Sequence, residues 1–371
     1  MQQQPWEYWG NLMGSVISEK FLKMRNAKDV TVAQLADYDE IIDVRSPAEY
    51  AEDHIPGAIS APVLSNEQRA QVGTLYVQTS SFEAKKLGAA LIARNIALHL
   101  ETQFKDKPKN WRPLVYCWRG GQRSGAMSII LAQVGWQVGR LEGGYKAYRR
   151  HVIAELSVLP ARFNYRVVCG ATGSGKSRLL HALREQGAQV LDLEHLAQHR
   201  GSLLGNLPNE PQPAQKMFDS LLWDALRHFD ASRPVYVEAE SKKIGSIAVP
   251  DALLEAMRAS SCILLDVPTS ARVKLLLEDY EHFLRDPELL AQRLAPLVDL
   301  HGHKVIAEWK ALAEQGNWEG VVEALLTQHY DPAYRRSTAT NFLRLKDATA
   351  LPLPALDEAQ LRKAAVELIA E

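Results

Sequence analysis

The sequence predicts an α/β chain: two parallel-sheet domains in tandem, with a helical C-terminal region. Three observations predict it. An apolar run at residues 113–117 leads into a glycine-rich loop and then a segment of helical period. A second apolar run at 165–169 does the same. Around both, short β-branched runs alternate with helical stretches, the pattern of a parallel sheet covered by helices. The expected division is an N-terminal extension at 1–28, sheet domains at 29–152 and 163–300, and a helical region at 301–371.

Each element follows in order. The extension is Gln-rich, then carries Trp6, Tyr8 and Trp9, with no basic stretch leading into an apolar one. It therefore does not read as a secretory signal. Met24 reads as a start, which makes residues 1–23 an appended segment; a short ordered arm is the rival reading. Residues 30–35 and 40–44 read as short strands or helix starts. Residues 43–62 are loop-rich, punctuated by Pro47, Pro56, Gly57 and Pro62. Residues 65–100 form one long Ala-rich segment, with Leu87, Leu91, Ile92 and Ile96 at helical spacing. The strand at 113–117 is followed by the loop at 119–125, a helix at 128–134 and a strand at 137–141.

The second half restarts at 165–169. A helix at 177–186 follows and is stopped by Gly187. Strands are expected at 189–193, 234–238 and 262–267, and helices at 214–229 and 271–280. Residues 287–328 are mostly helical in pattern. A Pro- and Leu-rich stretch at 351–356 precedes a last amphipathic helix at 357–370.

Composition excludes several classes. The 371 residues are 46% hydrophobic and 23% charged, which rules out a wholly disordered chain, a collagen-like repeat and a coiled-coil rod. Lys and Arg number 43 against 44 Asp and Glu, a net charge of −1. Bulk charge therefore does not draw this chain to nucleic acid, although a local basic patch stays open. Three cysteines cannot build a disulfide framework, so a reducing, cytoplasmic setting is expected. No apolar run approaches the roughly 20 residues that a membrane helix needs.

Two loops carry the chemistry. In the first, Cys117 ends a strand and Trp118-Arg119-Gly120-Gly121-Gln122-Arg123-Ser124 follow. Such a loop can aim backbone N–H groups at one point, and the helix behind it adds its positive end. Arg119 and Arg123 add charge, so a thiol there ionises near neutral pH beside an oxyanion cradle. The competing reading is a buried structural cysteine. Two glycines and two arginines between Cys117 and Ser124 weigh against it.

In the second, Gly170-Ala-Thr-Gly173-Ser-Gly175-Lys176-Ser177 matches the phosphate-binding P-loop pattern, between a strand and a helix. The glycines let backbone N–H groups wrap a diphosphate, Lys176 reaches its outer phosphate, and Ser177 can ligate Mg²⁺. Cys169 precedes the loop and reads as packing. Glu238 and Glu240 end a strand in the position of an acid that holds Mg²⁺ through water; the sequence leaves open which one does so. Asp192 and Glu194 are weaker candidates. Lys242 and Lys243 are either a solvated turn or contacts to phosphate or RNA.

Two resemblances follow from these residues. Asp43-Val-Arg45-Ser-Pro-Ala-Glu49-Tyr50, with His54-Ile-Pro-Gly-Ala-Ile59 and the spacing to Cys117, resembles the rhodanese signature. In rhodaneses the loop cysteine carries sulfur or selenium as a persulfide or perselenide. Here five residues separate Cys117 from Arg123, as in rhodanese-related phosphatases, which leaves room for a phosphate-sized group. Asp43, Arg45, Glu49 and His54 are expected to build the fold rather than react.

A rhodanese-like domain followed by a P-loop NTPase-like domain is a specific pairing. With Leu141-Glu-Gly-Gly-Tyr-Lys-Ala-Tyr-Arg149, His199-Arg-Gly-Ser202 and Glu238-Ala-Glu-Ser-Lys-Lys-Ile-Gly245, the chain resembles the tRNA 2-selenouridine synthase family over residues 39–336. The resemblance implies conversion of 2-thiouridine at the tRNA wobble position to 2-selenouridine. It implies S-geranylation by geranyl diphosphate, then selenation from selenophosphate, with Cys117 as the chalcogen carrier. It also implies tRNA bound through its anticodon loop, a selenophosphate-producing enzyme as a further partner, and no membrane. A monomer is expected.

The RNA surface is the least legible part. Arg272 and Lys274, Arg335 and Arg336, and Arg344 and Lys346 are basic positions that a neutral RNA-binding protein would gather into a patch. Tyr330, Tyr334 and Trp318 are candidate base-stacking residues, with core packing the better reading for Trp318. Three rivals stand beside this reading. One is a small-molecule P-loop kinase with a rhodanese regulatory domain. Another is a phosphatase built on Cys117 and Arg123, for which the sequence names no clear general acid. The third is a non-catalytic binding module.

Overall fold

The computed structural model describes residues 27–208 and 210–370. The expectations for the extension therefore fall almost wholly outside the described residues. The chain divides after Val152 into two compact units.

The first unit contains β1 (Lys28–Val30), β2 (Glu40–Asp43), α1 (Pro47–Glu52), β3 (Ile59–Ser60), α2 (Asn66–Gln78) and α3 (Ser81–Glu101). β4 (Pro113–Tyr116), α4 (Gln122–Val134), β5 (Gly139–Leu141) and α5 (Gly144–Leu156) complete it, α5 running through the division. The strands order as β1-β5-β4-β2-β3, every pair parallel. β4 is buried at all four positions, as a central strand covered on both faces must be. Ile42, Val115, Met127 and Leu131 fill the core, and Trp111 meets Trp136 edge to face at 4.9 Å. Register sets Asp43 beside Tyr116, so the segments leaving β2 and β4 emerge side by side at one edge. The single helix expected over 65–100 is two. Ser80 is extended, and its hydroxyl accepts the Glu83 N–H to begin α3 afresh.

The second unit opens with β6 (Tyr165–Cys169), α6 (Lys176–Glu185), β7 (Gln189–Leu191), α7 (Leu193–Leu196), α8 (Gln215–Arg227) and β8 (Val235–Glu238). A small antiparallel hairpin, β9 (Lys243–Ile244) with β10 (Ile247–Ala248), leads to α9 (Asp251–Ala259) and β11 (Ser261–Asp266). Helices α10 (Thr269–Asp279), α11 (Glu281–Arg285), α12 (Pro287–Leu294), α13 (Val298–Glu314), α14 (Trp318–Leu325) and α15 (Asp331–Asn341) follow. The chain closes with β12 (Thr349–Pro352) and α16 (Glu358–Ala370).

This sheet is also wholly parallel, in the order β12-β11-β6-β8-β7. β6 lies at its centre, where successive connections depart to opposite sides, and such a switch point opens a crevice at the carboxyl ends of the strands.

One correction concerns the region expected to be helical at 301–371. Its last part returns to the sheet. Thr349–Pro352 pairs with Ile263–Asp266, and α16 packs Leu361, Ala365 and Leu368 onto Leu179, Leu180 and Leu183 of α6. Pro352 disguised the strand in the sequence. At a sheet edge a proline removes no ladder bond, so the strand tolerates it.

Candidate active sites

The first site grows out of β4. Cys117 follows the last strand residue and is nearly fully buried. The loop turns through Gly120 at φ +66°, where an added Cβ would stand 2.9 Å from the Leu141 carbonyl. Cys117 and Trp118 direct their carbonyls back to the Tyr145 and Lys146 N–H groups at 2.8 and 3.1 Å. The helix α4 begins directly behind, with Gly121 at its cap. Its start at Gln122 lies earlier than the sequence expectation, so the positive end of the helix sits at the loop itself.

The Ser124 Oγ lies 3.2 Å from the Cys117 Sγ and 3.3 Å from the Gly121 carbonyl. A hydroxyl has one proton, and a thiolate is the stronger acceptor of the two. Burial pushes the Cys117 thiol up. The Ser124 hydroxyl, the Ser124 and Arg119 N–H groups and the Arg123 charge outweigh it, and the thiol ends below its ordinary value.

Arg123 does not stand alone. Its guanidinium bonds Glu49 at 2.8 and 3.4 Å, and Glu49 also accepts from Arg69 at 3.0 Å and the Ser46 N–H at 3.0 Å. Burial raises the Glu49 carboxyl, but Arg123, Ser46 and Arg69 bring it down to about 2. Beneath the loop, Arg45 and Asp43 form a buried pair at 2.6 Å. Arg45 also donates to the Asp53 carbonyl and lies under the Tyr145 ring, whose hydroxyl donates to Asp53 at 2.6 Å.

The second site grows out of β6. Residues 170–175 form the loop, with Gly173 and Gly175 at φ +77° and +78°. A Cβ on Gly173 would press to 2.8 Å from Leu276. Lys176 folds its Nζ back onto the Gly170 carbonyl at 3.0 Å. Ser177 donates to the Glu194 carboxylate at 2.8 Å. A cavity of about 930 Å³ opens over the loop, lined among others by Lys176, Ser177, Glu194 and Glu240.

The two acids named at the end of β8 differ. Glu238 is buried, accepts the Glu194 N–H at 2.8 Å through one oxygen, and among the described residues has no hydrogen-bond partner on the other. Burial and the charges of Asp192 and Glu194 push its carboxyl up. Glu240 lines the cavity, and burial together with the Glu194 charge raises it to about 8.

Among the described residues no three His, Cys, Asp or Glu side chains converge on one metal-sized point. Mg²⁺ does not require that, because it is commonly held by one or two protein oxygens plus substrate phosphates. Ser177 and Glu194 fit such a site.

A family description, the tRNA 2-selenouridine synthase AAA domain, matches residues 163–291, and the rhodanese-like domain matches residues 19–151. The tRNA 2-selenouridine synthase of Nitrosomonas europaea is 37% identical over 270 residues, covering 72% of this chain and 69% of that one. The chain belongs to the tRNA 2-selenouridine synthase family. The Aeromonas salmonicida member is 34% identical over 324 residues, 79% of this chain and 86% of that protein. The Sulfurovum member is 30% identical over 340 residues, 82% and 90%.

In this member of the tRNA 2-selenouridine synthase family, the expected site residues separate into groups. Cys117, Arg119 and Arg123 share one loop, with Arg119 exposed. Gly170, Gly173, Gly175, Lys176 and Ser177 share the other, with Glu240 beside them and Glu238 beneath. Lys242, Lys243, Arg335 and Arg336 are exposed. Lys242 forms a surface pair with Asp251 at 2.9 Å.

Arg272 is a correction. Expected at the RNA surface, it is 6% exposed. It donates to the Thr172 carbonyl of the P-loop at 2.9 Å and to both Asp331 oxygens at 2.6 and 3.0 Å. It braces the loop, and a buried arginine is available to no phosphate of an RNA. The named stackers also turn inward. Trp318 and Tyr330 pack with the helical cluster around Trp309, and the Tyr334 hydroxyl accepts the Gly170 N–H at 2.7 Å.

Sequence reasoning missed Ser124 and the bond from Glu49 to Arg123. The position of Ser124 directly after Arg123 was the available signal for the first. Tyr334 had no local signal, because 164 residues separate it from Gly170.

Proposed function

We propose that this chain modifies the wobble uridine of tRNA, turning 2-thiouridine into 2-selenouridine in two steps at its two loops. The observation that carries the reading is the P-loop with Lys176 and Ser177 facing a large cavity, on the same chain as an activated cysteine loop. Family membership supplies the substrate. Geranyl diphosphate, selenophosphate and a cytoplasmic setting belong to this proposal.

In the first step the thiocarbonyl sulfur of the base attacks the first carbon of the geranyl group. The carbon–oxygen bond breaks, and diphosphate leaves with the electron pair. Charge grows on that leaving oxygen. The loop N–H groups, Lys176 and Ser177 are placed to stabilise it. Lys176 leaves the Gly170 carbonyl to do so. Mg²⁺ held between Ser177, Glu194 and the diphosphate would add positive charge at the same point.

Alkylation turns a poor leaving group into a good one. In the second step selenium replaces the geranylthiolate at the base carbon. Selenophosphate sits at the Cys117 loop, where Arg119, the loop N–H groups and the start of α4 receive its phosphate. The exposed Lys242, Lys243, Arg335 and Arg336 are the candidate contacts to tRNA phosphates.

Nucleoside mass spectrometry of tRNA from cells with and without this protein tests the reading. Loss of 2-selenouridine together with a rise in 2-thiouridine is expected. No change in either nucleoside would refute it.

A further inference from the structure

We infer that an apolar pocket beside the P-loop holds the far half of the geranyl chain and so selects a ten-carbon diphosphate ester. This rests on the reading that geranyl diphosphate binds at the P-loop.

The pocket is built by helices α10, α11, α12 and α14. In α14, Trp318, Val321, Val322 and Leu325 recur at helical spacing and form one stripe. All four line the pocket, together with Leu276 of α10 and Leu290 of α12. Protein interiors are close-packed, and a stripe left against a void forfeits its contacts until something fills it. An apolar cavity stays dry and takes apolar ligands.

Position decides which ligand. Thr172, Ser202, Leu276, Tyr280 and Tyr330 line both this pocket and the P-loop cavity, so the two adjoin. Thr172 is a residue of the P-loop itself, which puts a diphosphate held there at the pocket mouth. Tyr280 is fixed in the shared wall: the Arg200 guanidinium lies 4.7 Å over its ring, and Phe283 stacks on it at 6.0 Å. Beyond that wall the lining side chains are hydrocarbon, apart from the Trp318 indole. A nucleobase would bury its polar edges there unpaired, at a cost. A branched hydrocarbon chain has no such edges. Size decides the length. The pocket volume of about 60 Å³ admits about four to six water-sized groups. An isoprene unit has five carbons. With the diphosphate in the P-loop, the first unit of a geranyl chain crosses the mouth and the second fills the pocket. A dimethylallyl chain stops short and leaves the pocket empty. A farnesyl chain brings one unit too many.

The test measures transfer from dimethylallyl, geranyl and farnesyl diphosphates to thiolated tRNA by the full chain, with binding followed by calorimetry. Geranyl should be favoured over both others in kcat/KM by about 10²-fold, since a single methylene in an apolar pocket is worth about 10- to 200-fold. Val322 lines the pocket and is only partly buried, so Val322→Phe fills the space. It should lower the geranyl-to-dimethylallyl ratio by about tenfold. It should also remove the negative heat-capacity change that separates binding of geranyl diphosphate from binding of inorganic diphosphate. Trp318→Ala enlarges the pocket and should raise farnesyl relative to geranyl by about tenfold. Inorganic diphosphate should bind the wild type and both variants alike, which also shows that the variants fold. Chain-length ratios unchanged in both variants, with inorganic diphosphate still bound, would overturn the inference and leave the proposed function standing. ATP binding that Val322→Phe abolishes would also overturn it, because a nucleobase would then occupy the pocket. Failure of the wild type to bind either geranyl diphosphate or inorganic diphosphate would remove the proposed function as well.

Discussion

The Cys117 loop and the P-loop are built alike and charged differently. Each follows the central strand of a parallel sheet, turns through a glycine at positive φ, and opens into a helix N-terminus. Each is therefore an anion cradle made of backbone. Around Cys117 the additions are a sulfur, a hydroxyl and two arginines gripped by one depressed carboxylate. Around Lys176 they are three carboxyls, two of them pushed upward, and one lysine. On the proposed reading, backbone geometry selects an anion at both loops, and the side chains decide whether the bound group meets a nucleophile or loses a leaving group.

Breaking each loop in turn tests that contrast. The largest effect is expected for Cys117→Ala. Selenation should stop and S-geranyl-2-thiouridine should accumulate, because the P-loop step needs no thiolate; nucleoside mass spectrometry reads both. Lys176→Ala comes next. Geranylation should fall by about 10²-fold, the usual cost of one lost transition-state donor, in single-turnover assays. Selenation of tRNA that is already geranylated should fall far less.

Arg272→Ala probes the brace behind the P-loop. It leaves Asp331 without its partner, so thermal or denaturant unfolding should show a loss of about 3 kcal/mol. The salt dependence of tRNA binding should not change. Arg335→Ala with Arg336→Ala should change it: the slope of log affinity against log salt should become shallower by about one to two.

The smallest effect is a pH effect at Glu49. Its folded-state pKa, about 2, lies below the ordinary carboxylate value, so it adds stability above roughly pH 4.5. That contribution is lost as pH falls from there toward 2. Glu49→Gln should flatten the acid limb of a stability-against-pH curve over that window.

Both loops were legible in the sequence because each is local. Glycines, a reactive residue and a flanking strand and helix lie within about ten positions. The strands at 113–116 and 165–169 were equally plain, since burial on both faces gives continuous apolar runs. What escaped was long-range or disguised. Pro352 hid an edge strand. The charge of Arg272 pointed to the surface, while Asp331 and Thr172, 59 and 100 residues away, draw it inside. Glu49 reads as part of a fold signature, and only its distance to Arg123 gives it a place at the site. Aromatic residues at 318, 330 and 334 could not be divided between core and RNA without knowing what packs on them.

The central claim is that the two loops perform separable steps in a fixed order. Sequential treatment with two disabled proteins tests it most directly. Thiolated tRNA is incubated with Cys117→Ala and geranyl diphosphate, repurified, and then given Lys176→Ala with selenophosphate. This order should yield 2-selenouridine, and the reverse order should yield none. Equal yield in both orders, or none in either while each protein remains folded, would contradict the division of labour between Cys117 and Lys176.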